Sequence, residues 1–281
     1  MRRKNMLTIA HITDLHITSA KDPVNHARHE KRLRQVLDAI DALKPRPVAI
    51  VATGDLVHNG EAEEYAELRR IFANVQIPIL VGVGNHDRRN AFRAAFPDTP
   101  VDGNGFVQYA TEIGGLRLVM ADSLEEGKNA GAYCEARAVW LQRVLDEAPD
   151  VPTIVAIHHP PVRSGIQWME DPSPNDDWVL RIAEALRDRR QVVGIIAGHL
   201  HRAFHAAFAG HIVSVSAATG IELTLDLTEI DRSRPDGRQL LNEEPPGFSV
   251  LLWDKEQLTT HVCVAGDFPG AVRFNTPFGA H

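Results

Sequence analysis

The sequence has 281 residues, of which 44% are hydrophobic, and it carries a formal net charge of -7. A chain of this length can bury a full core without a disulfide or a partner. We therefore expect a single domain over residues 1–281, with a β-rich extension over about 220–281. The negative charge argues against binding of polynucleotides, and no apolar run approaches the roughly 18 residues of a membrane span.

The two cysteines lack the spacing of a zinc knuckle and are too few for a secreted disulfide framework. They indicate a reducing compartment, and we expect a cytoplasmic protein. The basic start resembles a signal peptide, but the apolar run after it is short and contains His11. This run is better explained as a first core strand. The composition leaves the oligomeric state open, with a homo-oligomer as one alternative.

The first third of the chain alternates apolar β-like runs with amphipathic helical segments. Strands are predicted over 7–12, 48–52 and 79–83, and helices over 29–43 and 61–72. The polar stretch 18–28 is predicted to be a loop that covers a site. This β-α-β-α-β order is typical of a mostly parallel sheet with helices on its faces.

The rest of the chain adds hairpins to this pattern. Hairpins are predicted over 106–121, 204–217 and 248–264, helices over 136–147 and 178–189, and strands over 153–157 and 192–197. The Pro-, Ser- and Asp-rich stretch 160–177 is a candidate lid or specificity loop. Residues 220–246 are polar and interrupted by proline.

Five apolar runs end in side chains that can bind metal or move protons. These endings are Asp14-Leu15-His16, Gly54-Asp55, Gly84-Asn85-His86-Asp87, His158-His159 and Gly198-His199-Leu200-His201. Sheets of this kind bind ligands outside the carboxyl ends of their strands, so we expect the five endings to meet at one edge. Each ending alone is weak evidence, because a polar residue after a strand is often only a surface or capping group.

The mixture of carboxylate, imidazole and amide ligands suits Mn, Fe, Co or Zn better than Ca or Mg. Seven ligands are too many for one tetrahedral ion and about right for two. With only Asp14 and Asp55 as anionic ligands, two dications keep excess positive charge, which favours an anionic substrate. Two ions that activate a shared water and clamp phosphoryl oxygens indicate hydrolysis of phosphoesters.

The spacing of these motifs over about residues 7–217 resembles that of the calcineurin-like metallophosphoesterases. The resemblance implies a four-layer α/β/β/α sandwich with the site at the C-terminal edges of the sheet strands. It also implies two metal sites bridged by Asp55. One site would be held by Asp14, His16, Asp55 and His201, and the other by Asp55, Asn85, His158 and His199. His159 is the alternative to His158.

The resemblance also implies that His86 is catalytic rather than a ligand. In the family this histidine faces the substrate, where it stabilises the transition state or protonates the leaving group, and Asp87 would fix its tautomer. His58, Arg163 and Trp168 are further candidates for substrate contact. For each of them a structural or surface role is the alternative.

Within the family, the chain looks most like bacterial class III cyclic nucleotide and glycerophosphodiester phosphodiesterases. Protein phosphatases follow Gly-Asp with an acidic residue and Arg-Gly, whereas this chain has Leu56-Val57-His58-Asn59-Gly60. We therefore expect a metal-bridging hydroxide to attack small phosphodiesters. The alternatives are a phosphomonoesterase, nucleotidase or pyrophosphatase on the same two metals, and a metal-bound scaffold without catalysis.

Overall fold

The computed structural model describes residues 6–169 and 172–270. The basic start, two positions of the predicted lid loop and the end of the predicted C-terminal extension lie outside the described residues.

The strands are β1 Leu7–Ile12, β2 Ala49–Ala52, β3 Ile79–Val81, β4 Tyr109–Ile113, β5 Leu116–Ala121, β6 Thr153–Ile157, β7 Val192–Ala197, β8 Phe204–Phe208, β9 His211–Val215, β10 Glu222–Leu223, β11 Leu241–Asn242, β12 Gly247–Trp253 and β13 Leu258–Val264. The helices are α1 Pro23–Asp41, α2 Ala62–Phe72, α3 Arg89–Ala95, α4 Glu135–Asp146 and α5 Asp177–Leu186.

Two mixed β-sheets form the centre of the structure. The first has the order β13-β12-β1-β2-β3, and the second has the order β4-β5-β6-β7-β9-β8. Strands β1, β2 and β3 run parallel, as do β5, β6, β7 and β9. The hairpin β12–β13 follows all other strands in the chain but pairs antiparallel with β1, with Ser249 opposite His11. The last hairpin is therefore part of the first sheet.

Apolar packing arranges these elements in four layers. Leu33 of α1 and Tyr65 of α2 lie in the core between the helices and the first sheet. Trp140 of α4 lies in the core on the outer side of the second sheet. Met120 of β5 and Trp253 of β12 meet in a third core between the two sheets. The layer order is thus α/β/β/α, which confirms the predicted sandwich.

The structure differs from the sequence prediction at the start of α1 and at α3. Helix α1 begins at Pro23, not at residue 29, so part of the predicted loop 18–28 is helical. Its N-cap Asp22 accepts the Asn25 N–H, but its first turns are polar and carry no apolar stripe. Helix α3 is only 7 residues long and was not predicted. It is held by Phe92, which is fully buried.

None of the helices in the two described ranges is long and apolar enough to cross a membrane.

Candidate metal centre

The predicted ligands lie at the carboxyl ends of β1, β2, β3, β6 and β7, where the two sheets face each other. Hydrogen bonds from backbone N–H groups tie these strand ends together. His16 N donates to the Asp55 carbonyl at 3.0 Å. The His199 N–H donates to Asp14 Oδ2 at 2.9 Å, which links the first sheet to the second. The structure therefore brings residues far apart in the chain into one cluster.

The first group of predicted ligands converges closely. The ligand atoms of Asp14, His16, Asp55 and His201 all lie within 4.8 Å of one another. His16 Nε2 is 3.0 Å from His201 Nε2, and His201 Nε2 is 3.4 Å from Asp14 Oδ1. Two nitrogens and a carboxylate oxygen at these distances can share one cation.

The second group is centred on the Asn85 side chain. Asn85 Oδ1 is 3.2 Å from His158 Nε2 and 3.0 Å from His199 Nδ1. Asp55 Oδ2 is 3.4 Å from His158 Nε2 and 3.6 Å from His16 Nε2. One oxygen of Asp55 therefore lies beside both groups.

The geometry also bears on the choice between His158 and His159. The ring of His159 is held at both nitrogens: Nδ1 is 2.8 Å from Ser123 Oγ, and Nε2 is 3.1 Å from the Asn129 carbonyl. His158 instead turns Nε2 toward Asp55 and Asn85. This arrangement favours His158 as the ligand.

Five of the predicted ligands have a backbone conformation that non-glycine residues rarely adopt. Their φ angles are +53° at Asp14, +47° at His16, +48° at Asp55, +71° at His199 and +50° at His201. A left-handed residue of this kind costs about 1–3 kcal/mol, and such residues concentrate at functional sites. The fold therefore holds these side chains in place against a local backbone preference.

Burial and charge set the protonation of the metal-free cluster. Burial lowers the pKa of His16 well below its ordinary value and that of His199 to about 3, so both rings are neutral, as metal ligands must be. Burial also lowers the pKa of His158, but the Asp55 carboxylate outweighs this effect and raises it to about 9. Burial raises the pKa of Asp14, an effect that the nearby His201 only partly offsets.

His86 lies beside the first group and is partly exposed. Its ring is 4.6 Å from the ring of His16 and stacks on that of His58 at 5.1 Å. Its Nδ1 donates to the His58 carbonyl at 2.6 Å. Because a carbonyl can only accept a hydrogen bond, Nδ1 carries a proton, and Nε2 remains available to contact a substrate.

The structure corrects the expected role of Asp87. The sequence interpretation had Asp87 fix the tautomer of His86, but the carbonyl of His58 does so. The Asp87 carboxylate is fully buried and accepts hydrogen bonds from Gly84 N at 2.8 Å, Leu56 N at 3.3 Å and Tyr65 Oη at 2.7 Å. Asp87 therefore holds the turn in place from beneath rather than touching a ligand.

The three predicted substrate contacts lie in different places. His58 is exposed beside the cluster, with Nδ1 3.4 Å from His16 Nδ1. Arg163 lines an open groove together with Phe208, apart from the predicted ligands. The Trp168 carbonyl accepts a hydrogen bond from Arg232 at 2.9 Å. Among the contacts of the described residues, none joins Trp168 to the metal-ligand cluster.

Sequence reasoning missed a small cavity next to the second group. The cavity measures about 140 Å³, and its lining includes His159, His199, Asp176 and Trp178. Asp176 and Trp178 lie at the start of α5, where the sequence showed only a helical segment following a proline-rich loop. The sign available in the sequence was an acidic residue at the end of the candidate specificity loop and a tryptophan directly after it.

Comparison with known proteins agrees with this geometry. Residues 7–203 match the family model of the calcineurin-like phosphoesterases. A probable glycerophosphodiester phosphodiesterase, GpdQ, of Arcobacter nitrofigilis is 31% identical, over 95% of this chain and 97% of its own length. A probable cyclic nucleotide phosphodiesterase of Rhodococcus erythropolis is 34% identical, over 91% of this chain and 85% of its own. The purple acid phosphatase PPD1 of yellow lupin has the same fold, with a TM-score of 0.63 and 14% identity over 94% of this chain and 52% of that chain. The chain belongs to the calcineurin-like phosphoesterase family.

Proposed function

We propose that the protein hydrolyses small phosphodiesters with the help of two divalent transition-metal ions, drawn from Mn, Fe, Co and Zn. The observation that carries this proposal is the position of Asp55 Oδ2, 3.6 Å from His16 Nε2 and 3.4 Å from His158 Nε2. One carboxylate oxygen beside two groups of imidazole ligands is the arrangement that a bridged pair of ions requires.

The chemistry of the donors fits such ions. His201 Nδ1 donates to the Ile221 carbonyl at 2.5 Å, so its Nε2 presents a lone pair toward His16 Nε2 at 3.0 Å. Two imidazole nitrogens this close need a proton or a cation between them. Asp14, His16, Asp55 and His201 would hold one ion, and Asp55, Asn85, His158 and His199 the other. When bound, two such ions activate a water as hydroxide and stabilise charge on the phosphoryl oxygens.

His86 is proposed to act on the leaving group. The His58 carbonyl holds one proton on Nδ1, so when the ring carries a second proton, Nε2 is the atom that donates it to the departing alkoxide. The ring is partly exposed and lies against His16 of the first group. A substrate can therefore reach the His86 ring, and the ring is also close to the proposed metal centre.

Charge and the relatives favour a diester over a monoester. Asp14 and Asp55 are the only carboxylates among the proposed ligands, so two dications would keep a net positive charge. The attacking hydroxide lowers this surplus from +2 to +1, which the single negative charge of a diester matches without further fixed cations. The curated relatives at 31% and 34% identity are named as phosphodiesterases.

The test compares kcat/KM for bis-p-nitrophenyl phosphate and p-nitrophenyl phosphate under one metal condition. We expect a clear preference for the diester. Asp55→Asn should abolish both activities and lower the metal content below two ions per chain, measured by elemental analysis. A preference for the monoester would replace this proposal with a phosphomonoesterase. A metal-loaded protein without turnover on either ester would indicate a scaffold.

We also propose a reducing, cytoplasmic location, which rests on composition and is supported by the cysteines. Cys134 and Cys263 are both free thiols.

A further inference from the structure

The first turns of α1 carry a row of polar side chains, here called the α1 stripe, which consists of His26, His29 and Arg32. These residues follow one another at intervals of three, so consecutive members are neighbours on the helix surface. His29 and Arg32 are buried, with 5% and 8% of their surface exposed, and His26 is half-buried. Buried polar side chains need hydrogen-bond partners. Each member of the stripe finds one in a backbone carbonyl.

Two members of the α1 stripe bind residues 14–18, here called the ligand segment because it carries two proposed metal ligands. His26 Nδ1 donates to the Thr18 carbonyl at 2.8 Å. His29 Nδ1 donates to the His16 carbonyl, and the His16 N–H donates to the Asp55 carbonyl at 3.0 Å. Both polar backbone groups of His16 are therefore held.

The third member acts through the loop between β9 and β10. Arg32 donates from Nε to the Gly220 carbonyl and from Nη2 to the Glu244 carbonyl, the latter at 2.8 Å. The Gly220 N–H in turn donates to the Asp14 carbonyl at 2.8 Å. A Cβ at Gly220 would lie only 2.7 Å from this carbonyl oxygen, so the loop packs closely on the ligand segment. Arg32 therefore supports Asp14 from the far side of the loop.

The ligand segment needs such support because of its backbone conformation. The φ angles of +53° at Asp14 and +47° at His16 are ones that non-glycine residues adopt only when the surrounding structure holds them there. Helix α1 is a firm base for this purpose, since Leu33 and Val36 on it are fully buried in the core. Ligands that are held in position before an ion arrives bind it more tightly, because binding does not have to order them.

We propose that the α1 stripe is a clamp that holds the ligand segment in its metal-binding conformation, with His29 as the central positioning residue. This inference rests on the proposed function, because it concerns the first group of ligands of the same centre. The stripe acts on the backbone of Asp14 and His16. Its expected effect is therefore on the affinity for the ion of the first group.

The test measures binding of Mn²⁺ by equilibrium dialysis in His29→Ala and His29→Asn. The alanine variant leaves the His16 carbonyl without its donor. One of the two ions, the one that His16→Ala also loses, should then bind about 10–100-fold more weakly. In His29→Asn the amide nitrogen is bonded to Cγ, as Nδ1 is in histidine, so it can donate to the same carbonyl. This variant should bind both ions nearly as tightly as the native protein.

His211→Ala is the matched control. His211 Nε2 donates to the Leu186 carbonyl at 3.1 Å, which is a hydrogen bond of the same kind. His211 begins β9, at the opposite edge of the sheet from the proposed ligands. This variant should keep the native affinity for both ions.

His26→Ala is an independent variant on the stripe itself. Its ring is half-buried, so the fold should tolerate the change. Losing the hydrogen bond to the Thr18 carbonyl should weaken binding of the ion of the first group by about 2–10-fold.

Native affinity for both ions in a folded His29→Ala would overturn the inference and leave the proposed function standing. An equal loss in His29→Asn or in His211→Ala would also overturn it, because the hydrogen bond to His16 would then not be the cause. If His29→Ala does not fold, native affinity in His26→Ala overturns the inference. A native protein that binds two ions but cleaves no diester would overturn the proposed function alone, and the dialysis would still decide the role of the clamp.

Discussion

Gly84 opens the turn that carries Asn85 and His86, and a side chain at this position would collide with two proposed ligands. The Cβ of Gly84→Ala would lie 2.3 Å from Asp55 Oδ1 and 2.7 Å from His158 Cδ2. Ordinary van der Waals contacts begin at about 3.4 Å, so these neighbours would have to move by roughly 1 Å. Asp55 Oδ1 also accepts the His86 N–H at 2.8 Å, so the shift would spread to His86.

Two effects of different size follow from this collision. Inserting a methylene-sized group into a well-packed region usually costs about 1–3 kcal/mol of stability. A displacement of about 1 Å at reacting groups can cost about 10²-fold in rate. We therefore expect Gly84→Ala to lower the free energy of unfolding by about 1–3 kcal/mol, kcat/KM by at least about 10²-fold, and metal content below two ions per chain.

Gly82→Ala is the matched control from the same segment. Its Cβ would lie 2.5 Å from Met120 Sδ, the sulfur of a flexible side chain in the core between the sheets. Because the Met120 side chain can move aside, we expect a smaller loss of stability, with near-native metal content and turnover. Urea unfolding, elemental analysis and kcat/KM for bis-p-nitrophenyl phosphate measure the three quantities. Native turnover with two bound metals in Gly84→Ala would refute the reasoning.

Three further variants test individual contacts. His86→Ala should keep the metals but lower the turnover of alkyl esters by about 10²–10⁴-fold. Turnover of nitrophenyl esters should fall less, because a nitrophenolate leaves without a proton. Equal losses for the two kinds of ester would argue against proton donation by His86. Tyr65→Phe leaves Asp87 Oδ1 without its hydroxyl donor and should lower the free energy of unfolding by about 1–3 kcal/mol, so an unchanged urea midpoint would contradict it. Burial, which Arg202 only partly offsets, raises the pKa of Glu222 from 4.5 to about 8. The stability contributed by its protonated form is complete below pH 4.5 and is lost as pH rises through 8. Glu222→Gln should therefore raise the urea midpoint of the metal-free protein at pH 9 but not at pH 5, and equal shifts at both pH values would count against this.

The sequence by itself determined the main elements, the family and the candidate ligands. Strands β1, β6 and β7 have the bounds predicted from their apolar runs. Such runs are read easily because a strand buried on both faces is mostly apolar, and the polar residues that end it stand out. The polar first turns of α1 and the short α3 were missed because neither carries a repeating apolar stripe.

The tertiary structure alone decided which distant groups touch. Several contacts join residues far apart in the chain. Strand β12 pairs with β1, His86 donates a hydrogen bond to the His58 carbonyl, and the buried Asp87 accepts one from Tyr65. The left-handed backbone of His199 and the cavity beside Trp178 likewise depend on the surrounding loops. Periodicity in a sequence shows which side of a helix or strand is buried. The partner of each buried side chain depends instead on which strands lie next to each other in the two sheets.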